Sequence, residues 1–297
     1  MKNQKYGIEI EMTGITRATA ASCVAKYFST RYSRAYGVYD TYLVPDQSDR
    51  TWKVMYDGSI RPQEYADGHL TRTTQPEYKV ELVSPILCYE DIETLQEIIR
   101  LLFAAGARCN KSCGIHVHVD ASAYKPQTLR NIINIVAAKE DLLYKALNVD
   151  PSRVCFCKKV NSDLIDSINR HRPKTMDELR TAWYAEFPYN TRGHYNDSRY
   201  HGLNLHATFT KGTIEFRLFN GTLHAGKIKT YIQLSLAISH QALTQSRASS
   251  RKVETTNEKY AFRCWLLRLG LIGPEFKTCR YHLLKALEGN SAWRYIA

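Results

Sequence analysis

The sequence contains no run of about 20 apolar residues, the length that a helix needs to cross a bilayer. It also has no internal repeat and no low-complexity tract. We therefore expect no membrane span and no repeat architecture. The first residues, Met1–Tyr6, contain no apolar signal-peptide core, so we expect no export signal. The eight cysteines are irregularly spaced, which favours reduced thiols in the cytoplasm over a disulfide framework.

The composition is that of a folded protein. Hydrophobic residues make up 44% and charged residues 24% of the 297 positions, far from the composition of a disordered chain. The net charge is +12, and lysine and arginine are spread along the chain rather than collected in one tail. Such a spread usually forms a solvated surface, but it also attracts polyanions, so we keep nucleic acid as a candidate partner.

The hydrophobic periodicity predicts an α+β protein. Predicted strands or extended segments cover Tyr6–Met12, Tyr36–Val44, Thr51–Tyr56, Tyr78–Val83, Gly114–Asp120, Leu203–Phe209 and Thr213–Phe219, the last two as a hairpin. Predicted helices cover Thr19–Ser33, Ile92–Phe103, Leu129–Leu147, Met176–Phe187, Lys227–Gln245, Asn257–Leu269 and Pro274–Leu287. Long helices between hairpin-like strands indicate one domain, residues 1–297, around a largely antiparallel sheet. Within it we predict an insertion or lid at 151–191 and a helical C-terminal extension at 256–297.

Three predicted strands each place two polar side chains on one face and apolar side chains on the other. In a strand, residues two apart point the same way and lie about 6.6 to 7 Å apart. If these strands share one sheet, carboxylates and imidazole crowd a single patch, which needs cations because adjacent carboxylates repel. The pairs are Glu9 with Glu11, His116 with His118, and Glu215 with Arg217, and Glu81 lies on a fourth strand.

The ligand types in this patch favour a hard cation. Carboxylates with one imidazole suit Mg²⁺ or Mn²⁺ better than Zn²⁺, which prefers more nitrogen or thiolate. One Glu-x-Glu or His-x-His pair alone is more often the solvated face of a strand. The repetition on three strands, with Glu81 on a fourth, favours a divalent-metal site.

Five motifs occur in a fixed order along the chain. They are Gly7-Ile8-Glu9-Ile10-Glu11, Asp57-Gly58-Ser59, Glu81-Leu82-Val83-Ser84-Pro85, Cys113-Gly114-Ile115-His116-Val117-His118 and Glu215-Phe216-Arg217. This ordered set resembles the amidoligase family, which belongs to the carboxylate-amine ligases with the glutamine synthetase and glutamate-cysteine ligase fold. The motifs span Gly7 to about Leu223, roughly three quarters of the chain. The resemblance implies a curved antiparallel sheet, covered by helices, that cradles ATP and two or more Mg²⁺ ions.

The resemblance also implies roles for single residues. It assigns Glu9, His116 and Glu215 to one metal, and Glu11 and Glu81 to the other. His118 shares a face with His116 but is as readily explained as a core residue or as a residue behind the ligands.

Further residues are implied to contact the reacting groups. Arg217 is expected over the transferring phosphoryl group, and Asp57 is a second, less firm catalytic candidate. Arg199 and Asn204 resemble nucleotide or substrate contacts of the family.

The implied reaction joins a carboxylate to an amine at the expense of ATP. ATP converts the carboxylate to an acyl phosphate, which the amine displaces to form an amide. The substrates could be amino acids, peptides, a protein side chain or a modified nucleic acid. Two other classes stay open: a metal-dependent phosphohydrolase or nucleotidyltransferase, and a non-catalytic nucleic-acid-binding protein.

Two competing motifs are weaker. Gly221–Lys227 matches the first seven positions of a P-loop, but Ile228 stands where the motif requires Ser or Thr. Lys227, near a predicted helix N-terminus, remains a candidate phosphate contact. The spacing of Cys109, Cys113 and the histidines that follow is not a common zinc pattern, so we interpret these cysteines as reduced and buried.

Overall fold

The computed structural model describes residues 1–193, 195–252 and 254–293. The chain forms two compact units. The N-terminal unit comprises Lys2–Val117 and Phe219–Lys229. The C-terminal unit comprises Met1, His118–Leu218 and the chain from Thr230 onward.

The N-terminal unit is built on a sheet with strand order β2-β3-β4-β7-β1-β8, and β5 and β6 form a separate pair. The registers of the β1–β7, β2–β3, β3–β4, β4–β7 and β5–β6 pairs are all antiparallel. The strands are β1 (Tyr6–Met12), β2 (Ser33–Ala35), β3 (Thr41–Pro45), β4 (Thr51–Met55), β5 (Gln63–Ala66), β6 (His69–Arg72), β7 (Val80–Val83) and β8 (Gly114–Asp120). The last three residues of β8 belong to the C-terminal unit.

Two helices of the N-terminal unit, α1 (Arg17–Phe28) and α2 (Ile92–Ala104), contact each other, and α1 also contacts β3 and β4. The Thr16 hydroxyl accepts a hydrogen bond from the Thr19 N–H and so caps the start of α1. Ile8 and Ile10 of β1 are buried, and α2 buries one stripe of aliphatic side chains at helical spacing. Since side chains alternate along a strand, the core position of these isoleucines directs Glu9 and Glu11 to the other face of β1.

The C-terminal unit is mainly helical. Its helices are α3 (Pro126–Ala137), α4 (Glu140–Leu147), α5 (Ser162–His171), α6 (Met176–Trp183), α7 (His206–Lys211), α8 (Ala225–Thr244), α9 (Glu258–Arg268) and α10 (Lys277–Leu284). Its strands are the end of β8, then β10 (Thr213–Asn220) and β9 (Leu203–Asn204), in the order β8-β10-β9. Residues 219–220 of β10 and 225–229 of α8 belong to the N-terminal unit. β9 and β10 are antiparallel, with Glu215 opposite Asn204.

The predicted α+β class with largely antiparallel pairing is confirmed. The predicted hairpin of Leu203–Phe209 with Thr213–Phe219 is wrong in its first arm, because β9 ends at Asn204 and α7 follows. The Asn204 side-chain oxygen accepts the His206 N–H at 2.8 Å, which favours the turn into the helix. Gly212, at φ +72°, ends that helix in the left-handed conformation.

Other boundaries also differ from the predictions. The predicted helix Leu129–Leu147 is divided into α3 and α4, and the predicted helix from Thr19 to Ser33 ends at Phe28, followed by Ser29 at φ +55°. The β5–β6 hairpin, whose turn uses positive φ at Asp67 and Gly68, was not predicted as strands, and α5 was not predicted as a helix.

The assignment of residues 1–297 to one catalytic domain, with a lid at 151–191, stays a prediction. Residues 294–297 of the predicted C-terminal extension lie outside the described part of the chain. Among the described residues, none of the helices combines the length and the apolar character that a bilayer crossing requires.

Candidate metal centre

Two buried carboxylates face each other in the N-terminal unit. The antiparallel register of β1 and β7 places Glu11 directly opposite Glu81, and these residues are only 4% and 8% exposed. Opposite residues of an antiparallel pair have Cβ atoms about 4.5 to 5.5 Å apart, and like charges at that separation destabilise the pair. A bound cation at this position would turn the repulsion into attraction.

His116 on β8 completes a three-residue set. One ligand atom from each of Glu11, Glu81 and His116 lies within 4.8 Å of the other two. The His116 Nε2 atom is 3.8 Å from Glu11 Oε1, and the His116 side chain is 7% exposed. Two carboxylate oxygens and one imidazole nitrogen, withdrawn from water on neighbouring strands, fit Mg²⁺ or Mn²⁺.

Two further contacts orient these ligands. Glu9 Oε2 lies 3.0 Å from His116 Nδ1, so a proton on Nδ1 is donated to Glu9 and Nε2 keeps its lone pair. The Gly114 N–H donates to Glu11 Oε2 at 2.7 Å, which fixes that carboxylate. Motif analysis found Glu9 but not the role of Gly114, which depends on a backbone atom. We call Glu9, Glu11, Glu81 and His116 the acidic cluster.

The predicted residue Glu215 lies in the C-terminal unit and has a different surrounding. Its Oε2 accepts a hydrogen bond from Asn204 Nδ2 at 2.7 Å, and its Oε1 accepts one from Arg217 Nη1 at 2.5 Å. All three side chains are buried. His118 Nδ1 lies 3.0 Å from the Thr213 hydroxyl, and His118 Nε2 is 4.0 Å from Glu215 Oε1. We call Glu215, Asn204 and Arg217 the Glu215 group.

A pocket of about 190 Å³ in the C-terminal unit is lined by two members of the Glu215 group, Asn204 and Glu215. Arg199, predicted as a nucleotide or substrate contact, lines it as well. Four further polar residues of its lining, Arg192, His206, Thr210 and Lys211, were not predicted. Two arginines and a lysine in one small pocket suit an anionic group.

His206 holds the pocket wall in place. Its Nδ1 accepts a hydrogen bond from the Tyr184 hydroxyl at 2.6 Å, and its Nε2–H donates to the Gly193 carbonyl at 3.0 Å. Burial lowers the pKa of His206, which keeps the imidazole neutral and suited to one donor and one acceptor role. Arg192 precedes Gly193, so this contact positions the arginine that lines the pocket.

Asp57 lies in a turn, and Lys227 lies in the first turn of helix α8. Asp57 Oδ1 accepts hydrogen bonds from the Ser59 N–H at 2.6 Å and the Ser59 hydroxyl at 2.5 Å, as in a turn. Lys227 is the third residue of α8, whose first residue is Ala225. The catalytic role of Asp57 and the phosphate contact of Lys227 stay predictions.

The P-loop-like glycine has a packing explanation. A Cβ atom at Gly221 would lie 2.6 Å from the Cβ of Cys113, closer than real Cβ contacts. The Gly221 N–H also donates to the Cys113 carbonyl at 2.9 Å. Close backbone approach therefore accounts for this glycine without a phosphate.

Fold and site together define an α+β protein with a candidate divalent-metal centre. The profile of the family described as "Putative amidoligase enzyme" matches residues 2–239. The chain belongs to this amidoligase family.

One solved structure similar to this chain is a bifunctional glutathione synthetase from Pasteurella multocida, at 15% sequence identity and a TM-score of 0.36. The match covers 95% of this chain and 46% of that chain, so our chain spans less than half the length of that protein. A similarity this distant carries no argument about the site. No curated protein matches this chain.

Proposed function

We propose that the protein is an ATP- and Mg²⁺-dependent carboxylate-amine ligase that forms an amide bond through an acyl phosphate. The observation that carries this proposal is the buried set Glu11, Glu81 and His116, whose ligand atoms lie within 4.8 Å of one another in a chain of the amidoligase family. Mn²⁺ could replace Mg²⁺ in such a site.

The reaction explains why such ligands are needed. A carboxylate does not condense with an amine in water, so one of its oxygens first takes the γ-phosphoryl group of ATP, and the amine then displaces phosphate. A divalent metal, when bound, neutralises the charge that spreads over the phosphoryl oxygens. Glu11, Glu81 and His116 are the residues that would hold it, with Glu9 orienting the imidazole.

A second metal is part of the proposal. The family resemblance divides the ligands differently from the set above: it assigns Glu9, His116 and Glu215 to one ion and Glu11 and Glu81 to the other. This division of the ligands stays a prediction.

Cationic side chains of the C-terminal unit suit the anionic substrates. Arg217 offers a planar pair of donors that can bind two oxygens of a phosphoryl group. Arg199 and Asn204 line the pocket beside Glu215, and we propose that they contact the nucleotide or the carboxylate substrate. A carboxylate or phosphate oxygen would take the proton of the attacking amine.

We further propose that the enzyme works in the cytoplasm. All eight cysteines are free thiols in the structure, including Cys109 and Cys113 beside the acidic cluster. A reducing compartment preserves them in this form.

Isotope transfer tests the proposed chemistry. A pool of amino acids, polyamines and peptides is incubated with the protein, ATP and Mg²⁺, and mass spectrometry identifies the joined products. With the carboxylate substrate labelled with ¹⁸O, the released phosphate should carry one ¹⁸O atom, because the carboxylate oxygen bridges to phosphorus in the acyl phosphate. Phosphate release that needs neither amine nor carboxylate would contradict a ligase and favour a phosphohydrolase.

A further inference from the structure

In the C-terminal unit, the side-chain amides of three residues on helix α3 clamp the exposed segment 245–248. Gln127, Asn131 and Asn134 lie at helical spacing i, i+4 and i+7, so they share one face of α3. Their side-chain NH₂ groups donate to the carbonyls of residues 246, 245 and 248 at 2.6, 2.7 and 3.1 Å, respectively. Asn131 and Asn134 are buried, so this clamp is a built feature and not a chance surface contact.

The same face brings three arginines together. Arg130 lies on α3 between two of the clamping amides, and Arg247 lies within the clamped segment. Arg172 caps α5, whose Asn169 exchanges hydrogen bonds with Asn134 at 2.8 and 2.9 Å. We call Arg130, Arg172 and Arg247 the arginine face.

The arginine face lacks a carboxylate partner within the described part of the chain. Among the described residues, no carboxylate forms an ion pair with Arg130, Arg172 or Arg247, whereas nearby Lys252 pairs with Asp141 at 2.6 Å. Burial lowers the pKa of Arg130, and the charges of Arg172 and Arg247 lower it further. Their mutual repulsion disfavours this arrangement, and a bound anion would relieve it.

The backbone at Arg172 supports a role for its side chain. Arg172 adopts φ +50° and ψ +66° at the C-terminus of α5, a position where glycine or asparagine is preferred. The left-handed backbone conformation costs free energy for arginine, and glycine would adopt it without this cost. Its side chain is exposed and available to a ligand.

We propose that the arginine face binds consecutive phosphates of a nucleic acid strand. Guanidinium groups pair with phosphate oxygens through two parallel donors. A nucleic acid strand presents a phosphate at every nucleotide, whereas an extended acidic peptide presents only alternate carboxylates to one face. The overall charge of +12 supports association with such a polyanion. This proposal does not depend on the ligase function.

Salt dependence of binding tests the proposal on the full chain. A fluorescein-labelled 20-nucleotide oligothymidine is titrated at 50 to 200 mM salt, and its anisotropy gives Kd. Each phosphate contact contributes about 0.7 to the slope of log Kd against log salt. The variant with Arg130→Gln, Arg172→Gln and Arg247→Gln should therefore lose about 2 units of slope. The wild type should then lose about 20-fold more affinity than this variant across that salt range.

Controls separate the arginine face from general charge. A triple variant of exposed residues elsewhere, Arg31→Gln, Arg72→Gln and Lys277→Gln, removes the same charge and should keep the wild-type slope. Arg247→Gln alone should reduce the slope by about 0.7. This single variant tests the proposal even if the triple variant does not fold. Equal slopes in the wild type and the arginine-face variant, or equal loss in both triple variants, would overturn the proposal. So would displacement of the oligonucleotide by polyglutamate of equal charge as effectively as by unlabelled oligonucleotide.

Discussion

The acidic cluster and the Glu215 group use the same residue type at similar strand positions, yet their electrostatics differ. In the acidic cluster, Glu11 faces Glu81, another carboxylate, across the neighbouring strand. In the Glu215 group, Glu215 faces Asn204 across the neighbouring strand and accepts a hydrogen bond from Arg217. The two regions thus differ both across the strands, where Glu11 meets a carboxylate and Glu215 meets an amide, and along β10, where Arg217 pairs with Glu215.

The largest effect is expected from removing one charge of the acidic cluster. Glu11→Gln keeps the size of the side chain but removes a metal ligand, so turnover should fall by at least about 10²–10³-fold. The measurement is ATP-dependent amide formation by the purified variant. Glu97→Gln, at an exposed site on α2, is the matched control and should keep full activity. Full activity of Glu11→Gln would remove the acidic cluster from the mechanism.

The contact between Glu215 and Arg217 should contribute strongly to stability. Glu215→Gln removes the buried carboxylate that accepts a hydrogen bond from the Arg217 guanidinium, so the free energy of unfolding should fall by about 3 kcal/mol. Urea unfolding of the variant and the wild type in EDTA measures the change. An unchanged free energy of unfolding would show that this contact does not stabilise the C-terminal unit.

Arg217→Lys tests whether the guanidinium does more than pair with Glu215. Lysine keeps the positive charge but cannot present two parallel donors. Turnover should fall by about 10²-fold while the fold is retained. Circular dichroism and the kcat for amide formation together check this outcome. An unchanged kcat would restrict Arg217 to a structural ion pair.

Another buried glutamate, Glu140, extends the comparison. It accepts the Val160 N–H at 2.7 Å, and burial raises its pKa to about 7. An unfolded glutamate has a pKa near 4.3, so the native state holds an extra proton between about pH 4.3 and 7. Stability from this group is therefore present below about pH 4.3 and is lost as pH rises through 7.

Removal of this ionisation should have a smaller effect than loss of the contact between Glu215 and Arg217. Glu140→Gln should raise the free energy of unfolding by about 2 kcal/mol at pH 8, with a much smaller gain at pH 4.5. Denaturant unfolding at the two pH values measures the difference. A gain of the same size at both pH values would mean that Glu140 is not destabilised by its charge.

Strand alternation predicted the parts of the fold whose information is local. The bounds of β1 and β8 match the predictions. In each strand, apolar side chains occupy every second position over seven residues, which is a clear strand pattern. The pattern failed at 203–209, where apolar residues fit a strand but the Asn204 side chain and Gly212 favour a short helix. It failed again at the break between α3 and α4, which has no proline or glycine to mark it.

The site was predictable to the extent that its residues lie on regular strands. Glu9, Glu11 and His116 followed from alternation and motif order, and the structure brings them together with Glu81. Pairing of Glu11 with Glu81 depends on strand order, which no single segment encodes. Pocket residues such as Arg192 and His206 come from a loop and a short helix without periodicity, so no sequence signal marked them.

Binding of Mn²⁺ tests the central claim most directly. With histidine labelled by ¹⁵N, pulsed electron paramagnetic resonance on the Mn²⁺-loaded protein reports whether an imidazole nitrogen is coordinated. We predict a nitrogen coupling that is absent in His116→Gln and a weaker Mn²⁺ affinity in Glu11→Gln and Glu81→Gln. A Mn²⁺ site without nitrogen coupling, or with an affinity unchanged in these three variants, would contradict the assignment of the metal to the acidic cluster.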